Sequence, residues 1–415
     1  MPEAANSTVS DRAVRAHQWI QALSELPERC AGTTSEYQAA QYVSDWMQAL
    51  GVHDVAFVPV RSVPRAGVVL ALHTGLAALG CLWGGLPGAL LAGVALWSFR
   101  SELRHAQPRL SRLLQPSDAV NVVGRVGPEA PARRVVLSAH IDAAQAGWLF
   151  APQLADLFAS MSRGRQRNGA HPPGPHALNE LLLLAALLLA LAGWCGAHGL
   201  LFGLAWSVVT GGLLLACGLG LQWAWSPATP GANDNASAVA AMLGCAERLR
   251  TSLPADVQLV LVGTGAEEVG CKGMHAFVEQ HREWPAQHTY FVNFECVGGG
   301  ALHFIRNEGV LGKVVYPPTL NEVARRIAAS GSFGEVTPTD LLAGTDGHVP
   351  AAYGYPALSL ISLEPNGVPR NYHRPNDTVD AIDISMVLRA GDFGAAVALA
   401  ALNGAADAIK AVEFA

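Results

Sequence analysis

Gly231-Ala232-Asn233-Asp234-Asn235-Ala236-Ser237-Ala238 is the stretch on which the reading of this chain turns. It follows a proline-containing turn (Pro227, Pro230) and leads into a helical run from Val239 to Leu249. The pattern predicts a helix entered at an acidic residue. The first N–H groups of a helix lack intrahelical partners and carry the positive end of its dipole. The Asn and Ser residues beside Asp234 are types that satisfy such groups. A carboxylate so placed is held in one orientation, as a ligand shared between metal ions has to be. An ordinary helix cap has the same signature, and the rest of the chain decides between the two.

Upstream lie two long apolar tracts. No charged residue occurs from Ala66 to Phe99 or from Leu181 to Trp225. Each tract is long enough to enter a bilayer. Each is also broken, at Gly84-Gly85-Leu86-Pro87-Gly88 and near Gly193 to Gly199, so each reads as a hairpin of two helices. Trp194, Trp206, Trp223 and Trp225 sit mostly towards the ends of the second hairpin, where interfacial anchors belong. Arg61, Arg65, Arg100, Arg104, Arg109, Arg163, Arg165 and Arg167 all lie outside the hairpins, and the tips carry no Lys or Arg. That bias places every polar segment on the cytoplasmic side of an integral membrane protein. Trp148 to Met161 reads as an interfacial or surface helix in front of the last three of those arginines.

Composition agrees with this division. Hydrophobic residues make up 51% of the 415 and charged residues 14%. A net charge of −6 gives no basic surface for nucleic acid. The seven cysteines are scattered without a CxxC pair, which fits a reducing compartment. Met1 to Arg15 is polar, without the apolar core of a leader. Gly263-Thr264-Gly265 meets Glu268 where a dinucleotide fingerprint needs glycine, and neither HExxH nor GxSxG occurs.

The remaining sequence alternates strands and helices. Val55 to Val60, Val120 to Val126 and Arg133 to Ala139 read as strands, the last two as neighbours. Val257 to Val262, Tyr290 to Phe294 and Ala357 to Ile361 follow, with helices between them and a final helix from Ile384 to Leu402. This predicts an α/β fold, with a mixed, mainly parallel sheet and helices on both faces. Polar residues at strand ends then gather along one edge. Those residues are His140 and Asp142, Asp234, Glu267 and Glu268, Glu295, Asp346 and His348, and His373. Imidazoles mixed with carboxylates suit zinc, or manganese or cobalt. The spacing of His140 and Asp142 lets a carboxylate hold the far ring nitrogen of a ligand. Glu267-Glu268 offers one carboxylate for metal and a neighbour to take a proton from water.

In these segments the chain resembles the di-zinc exopeptidases of peptidase family twenty-eight, which include aminopeptidases, glutamate carboxypeptidase, glutaminyl cyclase relatives and a catalytically dead receptor branch. The resemblance covers roughly residues 25–60, 119–145 and 226–403. It implies two zinc ions bridged by Asp234, one shared by His140 and Glu295 and the other by Glu268 and His373. Glu267 is then the general base, and Asp142 orients His140. Asp346, His348 and Tyr372 become substrate-pocket candidates. Three features depart from the family pattern. Position 295 is Glu where many aminopeptidases have Asp, Thr345-Asp346-Gly347-His348 carries an extra residue, and the second apolar hairpin fills what is normally a short loop between the first metal histidine and the bridging Asp.

The expectation is therefore a peptidase domain built from residues 1–65, 100–145 and 226–415. It is interrupted by membrane hairpins at 66–99 and 181–225 and by a juxtamembrane segment at 146–180. A membrane-anchored zinc aminopeptidase acting on short peptides is the leading reading. A carboxypeptidase, aminoacylase or cyclase on the same site, or a non-catalytic scaffold, are the alternatives. The expected partners are a peptide substrate and the lipid bilayer; the oligomeric state, a homo-oligomer included, is open.

Overall fold

The computed structural model describes residues 8–403 apart from 64, 106–108, 115, 155–174, 310–312 and 342. It begins with helices α1 (Val9–Ser24) and α2 (Thr34–Ala49), strand β1 (Asp54–Ser62) and helices α3 (Ala66–Trp83) and α4 (Gly85–His105). Strands β2 (Ser117–Val126) and β3 (Arg133–His140) precede helices α5 (Pro175–Trp194), α6 (Leu200–Ala224) and α7 (Ala238–Arg250). Then come β4 (Val257–Thr264), α8 (Lys272–Gln280), β5 (Thr289–Glu295), β6 (Ala301–Glu308) and the two-residue β7 (Val314–Val315). The described chain closes with α9 (Pro318–Ala329), β8 (Val336–Leu341), α10 (His348–Ala352), β9 (Ala357–Leu363) and α11 (Ile384–Asn403).

Local signals set the first helix boundaries. Thr8 and Asp11 form a reciprocal cap at α1. The Thr33 hydroxyl caps α2 through the Glu36 N–H at 3.2 Å, and Gly51, at φ 85°, turns the chain out of that helix.

The strands form one sheet in the order β1-β2-β4-β3-β5-β9-β6-β7, with β8 beside β6. Its centre, β4-β3-β5-β9, is parallel, and antiparallel pairs flank it. The mixed α/β class is thus as expected, but β2 and β3 are not neighbours, because β4 lies between them. The connector 127–132 can reach up to ~20 Å, and stepping over one strand takes only ~10 Å. Closeness in sequence therefore did not force pairing.

The central strands are buried on both faces. Leu137, Leu261 and Phe294 point into a core with Ile20 of α1, Met242 of α7 and Phe393 of α11. Val136, Val260 and Phe291 point the other way, against Met274 and Phe277 of α8. α11 is apolar and long enough to cross a membrane, but 61% of its most apolar window is buried, against 11% for α6. α11 is a core helix of the sheet domain.

α3 to α6 form a separate four-helix bundle around Leu70, Ala77, Leu96, Phe99, Leu183 and Leu213. Small residues let its backbones touch. A methyl group on Gly67 would overlap the Gly220 carbonyl, and one on Gly88 would overlap the Gly80 carbonyl. α4 and α5 run past the uncharged tracts, to His105 and from Pro175. Among the described residues, most exposed large apolar side chains lie on this bundle, Leu82, Trp83, Leu200, Leu201 and Val208 among them.

At the neck of the second hairpin the outgoing and returning chains pair. The Ala146 N–H donates to Pro227 O at 2.9 Å, and the Thr229 N–H donates to Ala144 O at 2.8 Å. Of the helix expected over Trp148 to Met161, Trp148–Phe150 is a 3₁₀ turn and residues 152–154 are α-helical. The rest of that segment from 155 onward, with Arg163, Arg165 and Arg167, falls outside the described residues.

Candidate metal centre

Parallel strands deliver their C-terminal ends to one edge of the sheet, and the candidate residues collect there. His140 ends β3 and Glu295 ends β5. Glu267 and Glu268 lie in the loop leaving β4. Asp234 lies at the entry to α7, four residues ahead of its first residue. Its φ of −112° and ψ of 84° are non-helical, and α7 begins at Ala238. Its N–H donates to Asp377 Oδ2 at 3.0 Å.

The two oxygens of Asp234 face two different imidazoles. Oδ1 lies 3.3 Å from His140 Nε2, and Oδ2 lies 3.2 Å from His373 Nε2. Each imidazole has a second carboxylate beside it: Glu295 Oε1 is 3.2 Å from His140 Nε2, and Glu268 Oε2 is 3.2 Å from His373 Nε2. Glu267 Oε2 stands 3.9 Å from His140 Nε2. The sets His140–Asp234–Glu295 and Asp234–Glu268–His373 each bring one donor atom per residue within 4.8 Å of the others.

Whether this donor set fits a metal is answered by its unpaired atoms. Asp234 Oδ2, Glu268 Oε1, Glu295 Oε2 and His373 Nε2 are buried without a hydrogen-bond partner. Buried polar atoms left unpaired are costly and uncommon. Carboxylate oxygens and imidazole nitrogens in two such sets match the donor chemistry of zinc, manganese or cobalt. The residues fit.

Residues 220–398 match the family model described as Peptidase family M28. Over those residues the chain is similar to peptidase family M28. Endoplasmic reticulum metallopeptidase 1 of Mus musculus is 29% identical over 175 residues, 40% of this chain and 18% of that protein. Aminopeptidase YwaD of Bacillus subtilis is 29% identical over 177 residues, 40% of this chain and 37% of that protein. The matched region is thus well under half the length of either relative. Two solved structures share the fold across most of the chain. A zinc aminopeptidase from Bacillus subtilis has a TM-score of 0.52 and 16% identity, covering 94% of each chain. An aminopeptidase from Aneurinibacillus sp. strain AM-1 has a TM-score of 0.53 and 17% identity, covering 94% of this chain and 93% of its own.

The donors are braced by backbone contacts. Asp142 accepts from the Glu267 N–H through Oδ1 and the Glu268 N–H through Oδ2, both at 3.1 Å. Its carbonyl lies 3.1 Å from His140 Nδ1. Four supporting residues were not singled out from the sequence for this role. Buried Arg29 donates to Ile141 O at 2.5 Å and to Gly231 O at 2.9 Å, tying the Asp142 loop to the Asp234 loop. Asp377 Oδ1 accepts from the Asn233 N–H at 2.8 Å. Glu36 accepts from the Ala266 N–H at 2.8 Å. Asn235 Oδ1 accepts from the Cys296 N–H at 2.8 Å, beside Glu295.

The field of the cluster favours positive charge. Burial alone would depress His140 and His373, but Glu295 raises His140 well above the ordinary histidine range and Glu268 raises His373 to about 10. Burial pushes the Glu267 carboxyl well up, against His140 and with Glu295 and Asp346. The pocket candidates separate. Buried Asp346 accepts from Thr264 Oγ1 and offers a donor atom within 4.8 Å of one each from Glu267 and Cys271. Tyr372 stacks on His373 at 3.9 Å. His348 lies 2.6 Å from Thr345 O through Nδ1 and meets His275 at 6.0 Å, and it joins none of the donor sets among the described residues.

Proposed function

We propose that this chain is a membrane-anchored two-zinc aminopeptidase that releases N-terminal residues from short peptides. The observation that carries the reading is Asp234, whose two oxygens each face an imidazole with its own second carboxylate. In this reading His140 and Glu295 hold one ion, Glu268 and His373 hold the other, and Asp234 bridges them. Bound there, zinc would polarise the scissile carbonyl and make water acidic enough to attack near neutral pH. Glu267 takes the proton of the attacking water at Oε2 and returns it to the leaving amine. Asp142 keeps Glu267 and Glu268 in register through their N–H groups and fixes the His140 ring. Carboxylate recognition at the substrate's other end has weak support, because Arg370 is engaged by Glu364 at 2.7 Å and Arg374 by Phe150 O at 3.0 Å.

The exposed large apolar side chains of the bundle and the length and hydropathy of α3 and α6 support anchoring. Arg61, Arg65 and Arg100 at its base support a cytoplasmic M28 domain.

The test is hydrolysis of unblocked aminoacyl substrates and N-blocked peptides by detergent-purified protein. Cleavage of the unblocked set is expected for wild type. Glu267→Gln should lower kcat by ~10²–10⁴-fold with metal content unchanged. Cleavage confined to blocked peptides would overturn the aminopeptidase assignment.

A further inference from the structure

The two imidazoles of the cluster are held in different ways. His140 Nδ1 faces the Asp142 carbonyl at 3.1 Å and its carboxylate at 3.4 Å, the outer contact that commonly orients a ligating histidine. His373 Nδ1 is buried with no hydrogen-bond partner. Its surroundings are aromatic instead. Tyr372 stacks on the ring at 3.9 Å, Phe150 meets it edge-on at 4.3 Å, and Trp223 lies at 6.3 Å.

Of those three rings only Tyr372 belongs to the His373 loop. Trp223 is in the last turn of α6, buried, with its indole N–H donating to Gln145 O at 2.9 Å. Phe150 packs on Trp223 at 5.2 Å. Its 3₁₀ turn is tied to α6 by the Trp148 N–H, which donates to Gln222 Oε1 at 2.9 Å. Arg374, next to His373, donates to Phe150 O at 3.0 Å.

We infer that Phe150 and Trp223 are positioning residues for His373, so that the apolar bundle sets one half of the metal centre. The last turn of α6 fixes the imidazole on the Asp234–Glu268 side. The His140–Glu295 side is fixed by β3, β5 and Asp142 without the bundle. The inference rests on the two-metal reading. His373 Nε2 faces Asp234 and Glu268. The Nδ1 side of the ring, however, has no hydrogen bond and is held by packing, so removing a packing ring lets the imidazole tilt away from its ligating geometry.

The experiment measures zinc retained by the full chain in detergent, titrated against a competing chelator. Wild type, Trp223→Ala, Phe150→Ala, Trp223→Phe and His373→Ala are compared. Wild type should hold about two zinc ions. Both alanine variants should hold one ion as tightly as wild type and the other ~10–100-fold more weakly, following the pattern of His373→Ala. Trp223→Phe should restore the second ion. Alanine variants that keep both ions at unchanged affinity overturn the inference and leave the two-metal reading standing. Equal weakening of both ions also overturns it, because the effect is then not confined to His373. A wild type that binds no zinc overturns both.

Discussion

Glu308 is buried near the cluster but is no part of the proposed donor set. It accepts from Tyr316 Oη at 2.8 Å, the Thr345 N–H at 2.7 Å and Thr345 Oγ1 at 2.8 Å, and so holds the turn that carries Asp346. Burial raises its carboxyl from 4.5 to about 8, against those three donors. The unfolded chain therefore ionises this group at lower pH than the folded one. The stability tied to its protonated form is present below pH 4.5, falls as pH rises, and is gone above about 8. In Glu308→Gln the pH dependence of unfolding across that window should flatten, as chemical denaturation at several pH values would show. An unchanged slope would mean that other groups set it. Residues of this kind mark the limit of reading from sequence. His140, Asp234, Glu267, Glu268, Glu295 and His373 stood out as metal- or proton-handling types placed near strand ends. Arg29 and Asp377 did not, because their partners are backbone groups more than a hundred residues away, and backbone leaves no trace in composition.

Among the elements, the parallel centre of the sheet was legible because β4, β5 and β9 are apolar runs bounded by turns. The order of strands was not, and β2 and β3 were wrongly paired. No local signal records that β4 inserts between them. β6 and β8 went unread; β6 has an interrupted burial pattern, and β8 contains Pro338 and mixed burial. In the bundle the contact between α3 and α4 depends on Gly80 and Gly88. Gly88→Leu should force these helices apart and destabilise the bundle by ~1–3 kcal/mol, read as a lowered Tm in detergent. A Tm equal to wild type would show that the helices do not meet as closely as described.

For the whole molecule, the apolar tracts announced two hairpins, but not that they join. α3 packs on α6 and α4 on α5 across the intervening sheet strands, and the four helices share one core. That joining brings Trp223 beside His373. The anchoring proposal predicts that the protein stays with membranes after alkaline carbonate washing. It also predicts that the sheet domain in intact spheroplasts resists protease added outside. Release by carbonate would contradict anchoring, and external cleavage would contradict the cytoplasmic orientation.

The most direct test of the central claim is the metal content of Asp234→Ala against wild type, both purified as full chains in detergent. Because Asp234 Oδ1 and Oδ2 face the two imidazoles separately, wild type should carry about two zinc ions per chain and the variant fewer than about one. An Asp234→Ala protein that retains its full complement of zinc would contradict a centre bridged by this carboxylate.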